Sequence, residues 1–102
     1  MTFRVVVSPP AQHQIREIAH WYATRGVPAV AERFLSEFRR AVDGLKIMAE
    51  SHAVDERFGR RRAYLKRFPY TVWYEVEGLC VTVLAVTHEA MSNESIRSRI
   101  DL

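Results

Sequence analysis

The sequence predicts an α+β domain with the element order β-α-α-β-β-β, in which a helical hairpin packs on a small, mostly antiparallel sheet. Three observations carry this. A β-branched run from Phe3 to Val7 is closed by Ser8-Pro9. Two apolar stripes at helical spacing follow, separated by Gly26 and Pro28. From Arg61 onward the apolar period changes from about 3.6 residues to about 2.

Each element has its own signal. Phe3 to Val7 reads as a strand. Ser8 can cap free N–H groups at a helix start, and Pro9 is tolerated in the first turn because its missing N–H would be unpaired there anyway. Ala11, Ile15, Ile18, Ala19 and Tyr22 then fall on one face, and the helix is expected to stop near Thr24. The second helix begins near Pro28, with Ala31, Phe34, Phe38, Ala41, Leu45 and Met48 as its stripe. Gly44 costs about 1 kcal/mol of helix propensity relative to alanine, and marks either a close approach or a weak point. The short break between the helices makes them an antiparallel hairpin.

Glu50 to Gly59 is polar and aperiodic and reads as a loop. Ala63, Leu65 and Arg67 alternate with Tyr64 and Lys66 until Pro69 interrupts. Tyr70, Val72, Tyr74 and Val76 alternate with Thr71, Trp73, Glu75 and Glu77, a strand with one apolar and one polar face. Glu77-Gly78 supplies a tight turn. Leu79 to Thr87 is nearly continuously apolar, as in a strand covered on both faces. A short helix is expected from Asn93.

Composition bounds the function. The chain of 102 residues reads as one domain, residues 1-102, large enough to fold without staples. Cys80 is its only cysteine, which excludes an internal disulfide framework and a cysteine-based zinc site. The histidines, among them His13, His20 and His52, show no metal-ligand spacing, and no glycine-rich phosphate loop or nucleophile elbow occurs. No apolar run reaches the roughly 20 residues of a membrane span, and the first eight residues lack the character of a signal peptide. The expected setting is the cytoplasm, without membrane association. The net charge is +3 and the pI about 9.4. Lys46 and Lys66 are the only lysines, so arginine dominates, and its planar fork suits carboxylate and phosphate partners alike.

Two constellations could carry chemistry. Arg57, Arg60, Arg61, Arg62, Lys66 and Arg67 crowd one stretch that holds no acid. Such charge can guard an edge strand against sheet-to-sheet pairing. It can also receive an acidic protein segment or phosphates. His88 directly follows the apolar strand, where an imidazole can act as general base or acid or simply hydrogen-bond its own turn. With Arg61, Arg62 or Arg97 it could supply the base, the acid and the cations that RNA cleavage needs. Trp73, sharing a strand face with Thr71 and Glu75, is expected to be exposed and to serve as a protein-binding anchor.

The string Arg62-Ala63-Tyr64-Leu65-Lys66-Arg67-Phe68-Pro69-Tyr70-Thr71-Val72-Trp73-Tyr74-Glu75-Val76 and its continuation Val81-Thr82-Val83-Leu84-Ala85-Val86-Thr87-His88 resemble the RelE/ParE toxin superfamily. The Phe-Pro-Tyr, the aromatic strand, the Glu-Gly turn and the terminal histidine look like its ParE, or plasmid-stabilisation, branch. Ser8-Pro9, the helix from Ile15 to Tyr22, and Ala31-Glu32-Arg33-Phe34 agree. The resemblance implies the toxin of a type II toxin–antitoxin pair, bound by the acidic C-terminal segment of an antitoxin, with a heterotetramer or a larger complex among the assemblies implied. It implies no cofactor. The ParE branch implies DNA gyrase as target; the RelE branch implies cleavage of messenger RNA on the ribosome.

RNA-cleaving members commonly place lysines and arginines on the sheet, with a tyrosine or histidine near the C-terminus. Here Lys66 is the only lysine of the sheet region and no tyrosine follows Tyr74. This moves the expectation toward a protein-binding toxin rather than an enzyme, with Arg60, Arg61, Arg62, Lys66, Arg67 and Trp73 as its contact residues. The run His88-Glu89-Ala90-Met91-Ser92-Asn93-Glu94 departs from the basic, tryptophan-containing run of many relatives. That leaves an attenuated, antitoxin-binding relative as a third reading.

Overall fold

The computed structural model describes residues 2–101. Strand β1 (Arg4–Val7) leads into helices α1 (Pro9–Arg25) and α2 (Pro28–Met48). A 3-10 turn (Ala49–Ser51) and the strands β2 (Val54–Asp55), β3 (Arg60–Tyr64), β4 (Tyr70–Glu77) and β5 (Cys80–His88) follow, and helix α3 (Asn93–Ile100) comes last. The sheet order is β1-β5-β4-β3-β2. β1 runs parallel to β5 and the other neighbours are antiparallel. The expected architecture is therefore present, with two additions. The segment from Glu50 to Gly59, expected as a loop, contains the 3-10 turn and the short edge strand β2, because Val54 and Asp55 pair with Arg61 and Arg60. And β3 ends at Tyr64, so Lys66 and Arg67 belong to the turn before β4 rather than to a strand.

The signals at helix ends act as expected. The Ser8 hydroxyl oxygen accepts the Ala11 N–H at 3.2 Å. The Gly26 N–H closes α1 on the Tyr22 carbonyl at 3.0 Å. The stripe of α2 is buried at Ala31, Phe34, Phe38 and Leu45, but Met48 is exposed, and Ala49 takes the interior position in its place. A Cβ at Gly44 would meet nothing within 4 Å, so this glycine marks no close approach.

Two cores lie on opposite faces of the sheet. The larger joins the helical hairpin to Val72, Tyr74, Val81, Val83 and Val86. The smaller sits under α3 and holds Trp73, Ala85, Ile96 and Ile100. A bulge makes this division work on β5. Trp73 pairs with Ala85 and Tyr74 with Val83, so Leu84 is an extra residue. The bulge lets Val83 and Val86 both face the hairpin, while Leu84 and Ala85 both turn to α3. The β4–β5 turn depends on Gly78, whose φ of 62° favours glycine and allows a two-residue hairpin.

Candidate functional site

The basic stretch around β3 is organised by an acid that lies just outside it. The Asp55 side chain is only 3 % exposed. Its Oδ1 accepts from the Arg57 backbone N–H at 2.9 Å and from Arg57 Nε at 3.0 Å. Its Oδ2 accepts from Arg57 Nη2 at 2.8 Å and from Arg62 Nη1. The Arg57 side-chain hydrogen bond, working against burial and helped by the charge of Arg62, lowers the Asp55 pKa to about 2. In return Asp55 raises the pKa of Arg57. The backbone contributes too: the Asp55 carbonyl accepts the N–H groups of Phe58 and Gly59, a tight turn that Gly59 permits with φ 65°.

The other arginines of this edge are also engaged. Arg60 Nε lies 3.5 Å from a Glu75 carboxylate oxygen. Arg61 donates to the carbonyls of His52 at 2.6 Å and Glu50 at 3.2 Å, pinning the 3-10 turn to the sheet. Arg97 of α3 donates to the Arg57 carbonyl at 3.1 Å and lies over the Phe58 ring. Lys66 and Arg67 are exposed and make no ion pair among the described residues. Of the contact residues expected from sequence, Arg60, Arg61 and Arg62 thus have partners within the molecule, whereas Lys66 and Arg67 have no ion pair among the described residues.

Trp73 is a correction. It is 2 % exposed rather than an open anchor. Ile96 and Ile100 of α3 cover it, the Phe58 ring meets it edge-on at 5.2 Å, and its indole N–H donates to the Thr87 hydroxyl at 2.8 Å. The alternation that assigned Trp73 to a polar face was right about the face. The tail helix makes that face an interior one at Thr71 and Trp73, leaving Glu75 exposed.

His88 stands between two grooves. Its Nδ1 accepts the Ala90 N–H at 3.0 Å, and its ring meets Tyr70 edge-on at 5.2 Å. One groove, about 480 Å³, is lined by His88, Arg57, Arg62, Tyr64, Thr71 and Asn93 among others. The other, about 430 Å³, is mainly apolar and runs beside α1, with Ile18, Trp21, Tyr22, Tyr70, Val86 and Met91 in its walls. The structure brings His88 and Arg62 to one groove. It does not bring Arg61 or Arg97 into the lining of either.

Two residues not singled out in the sequence shape the apolar groove. β1 ends at Val7, so β5 has no strand neighbour beyond Val83 on that side. Side chains take over: Ser8 Oγ donates to the Leu84 carbonyl at 3.3 Å, and the buried Gln14 amide oxygen accepts the Val86 N–H at 2.8 Å. Gln14 occupies a stripe position among Ala11, Ile15 and Ile18, and a polar residue there was the available signal. The second residue is Trp21, 50 % exposed at the groove rim.

Comparison with known proteins bears on these features. The family model "ParE toxin of type II toxin-antitoxin system, parDE" matches residues 5–93. Among solved structures, a chain described as "Chromosomal ParDE TA system from P. aeruginosa" is similar in fold, with a TM-score of 0.76 at 20 % identity. That similarity covers 85 % of this chain and 96 % of the other. No curated protein sequence matches. The family match runs from β1 through β5 and ends at Asn93 where α3 begins, so it takes in the walls of both grooves except Ile96 and Arg99 of α3. On the strength of that match over most of its length, the chain belongs to the ParE toxin family of type II toxin–antitoxin systems.

Proposed function

We propose that the protein acts in the cytoplasm as a toxin that inhibits DNA gyrase by binding it, and that a cognate antitoxin encoded in an adjacent reading frame neutralises it. The observation that carries the choice of binding over RNA cleavage is the state of the four candidate catalytic side chains. The His88 Nδ1 is taken up by the Ala90 N–H within its own turn. Arg62 is paired with buried Asp55, Arg61 holds backbone carbonyls and Arg97 holds another. A phosphorane needs cations free to meet it, and these are committed.

The apolar groove supports the same reading. A half-exposed tryptophan beside Ile18, Tyr22 and Met91 has the composition of a protein-binding anchor. Its surroundings are preformed: Phe68 packs edge to face on Tyr22 and Phe34, and Tyr70 packs edge to face on Phe34.

The test is a supercoiling and DNA-cleavage assay with purified protein and purified gyrase, run beside a map of messenger RNA ends in cells expressing the chain. The expectation is loss of supercoiling and accumulation of cleaved DNA. Trp21→Ala should raise the concentration needed by about tenfold or more, as for a typical anchor residue. Unimpaired supercoiling at saturating protein, together with codon-phased cuts in messenger RNA, would reverse the assignment.

A further inference from the structure

We propose that the antitoxin's acidic segment is received by a groove between α2 and the turn joining β3 to β4, with Arg33, Arg40 and Arg67 as the residues that read its carboxylates. This rests on the toxin–antitoxin reading and adds a location and a chemistry to it. The groove, about 270 Å³, has the three arginines in its walls together with Val30, Glu37 and Phe68. None of these arginines lies within ion-pair distance of a carboxylate among the described residues. They differ in this from Arg57 and Arg62, which share the Asp55 carboxylate, and from Arg60, which faces Glu75.

Spacing makes the site selective. Arg33 and Arg40 are two helical turns apart, so both project from one face of α2, separated by about 10 Å along its axis. Carboxylates about 10 Å apart match that pair, as in a polyproline-II segment, whose three residues per turn put acids three residues apart on one face at about 9 Å. Arg67 enters from the turn across the groove. Three arginines against one glutamate leave a local charge of +2.

An acidic protein segment fits these features better than nucleic acid does. Val30 and Phe68 offer a place for an apolar side chain between the carboxylates, and Phe68 is held rigidly against Tyr22 and Phe34. Glu37 inside the groove repels a closely spaced row of phosphates more than it repels two separated acids. The site also lies away from both grooves beside His88, so an antitoxin can hold on here while another part of it covers the apolar groove.

The experiment titrates the full-length chain with the protein of the adjacent reading frame and follows affinity at several salt concentrations. The triple variant Arg33→Gln/Arg40→Gln/Arg67→Gln should bind at least tenfold more weakly and with a shallower salt dependence. A control with equal loss of charge, Arg4→Gln/Arg16→Gln/Arg39→Gln, should change affinity by less than about threefold. Ser36→Trp, which fills the groove without touching its charge, should also weaken binding. No complex with the unaltered chain would defeat the toxin–antitoxin reading itself. A complex that forms but is insensitive to the triple variant and to Ser36→Trp would defeat the groove alone. So would a triple variant that keeps its protein partner and instead loses affinity for a labelled single-stranded RNA oligonucleotide.

Discussion

The edge of the sheet at β3 and the outer face of α2 are both rich in arginine, and they use it oppositely. At β3 the guanidinium groups close a network: Arg57 and Arg62 on Asp55, Arg60 on Glu75, Arg61 on the carbonyls of the 3-10 turn. On α2, Arg33 and Arg40 meet no carboxylate among the described residues. Charge density along a sequence therefore differs from charge available to a partner. Desolvating a carboxylate costs energy that several donors must offset, and Asp55 recruits two neighbouring arginines to do so. An exposed arginine on a helix carries no such internal obligation.

The comparison can be broken by substitution. The largest effect is expected under α3, where Trp73→Ala should destabilise by about 3–5 kcal/mol through the cavity it leaves in the smaller core. Denaturant unfolding measures this, and a loss under about 1 kcal/mol would show that α3 does not seal that face. Next comes Asp55→Ala. It leaves Arg57 and Arg62 without their acceptor and should cost about 2–3 kcal/mol, toward the lower end for a buried pair because both arginines can still reach water. Arg40→Gln on α2 should lie within about 0.5 kcal/mol of the parent. Equal costs for the two would erase the distinction between the regions.

Acid should act through the same carboxylate. Asp55 has a folded pKa of about 2 against an ordinary 3.8. Its contribution is present in full above the unfolded value and disappears as pH falls through about 2, since below that both states are protonated. The stability advantage of the parent over Asp55→Asn should shrink steadily from pH 4 to pH 2. An advantage constant across that window would mean that Asp55 contributes by shape rather than by charge. One substitution should bring a gain: Gly44→Ala should stabilise by about 0.5–1 kcal/mol, because the position is helical, exposed and open around its Cβ. A loss there would reveal a contact on the free side of the hairpin.

Much of the molecule was legible residue by residue. The stripe Ala31, Phe34, Phe38, Leu45 placed α2 on the sheet, the alternation from Tyr70 to Val76 chose the face of β4 toward it, and the expected helix start at Asn93 is where α3 begins. The site was less legible. Arg60, Arg61 and Arg62 stood out because they are adjacent, yet their partners lie elsewhere: Asp55 in a segment read as loop, Glu75 across the sheet, His52 beyond the 3-10 turn. Arg33, Arg40 and Arg67 drew no attention as a group, since they come from two distant segments and meet only when the hairpin packs.

By itself the sequence determined the periods, the caps and the turn at Gly78, because these depend on neighbours within a few residues and on backbone sterics. It also carried a family pattern strong enough to span residues 5–93. Only the tertiary structure decided which charges are free, which tryptophan is exposed, and how Gln14 completes the edge of β5. Those outcomes depend on which surfaces lose water together. Trp73 and Trp21 have the same side chain, but α3 closes over the first and leaves the second at the rim of a groove.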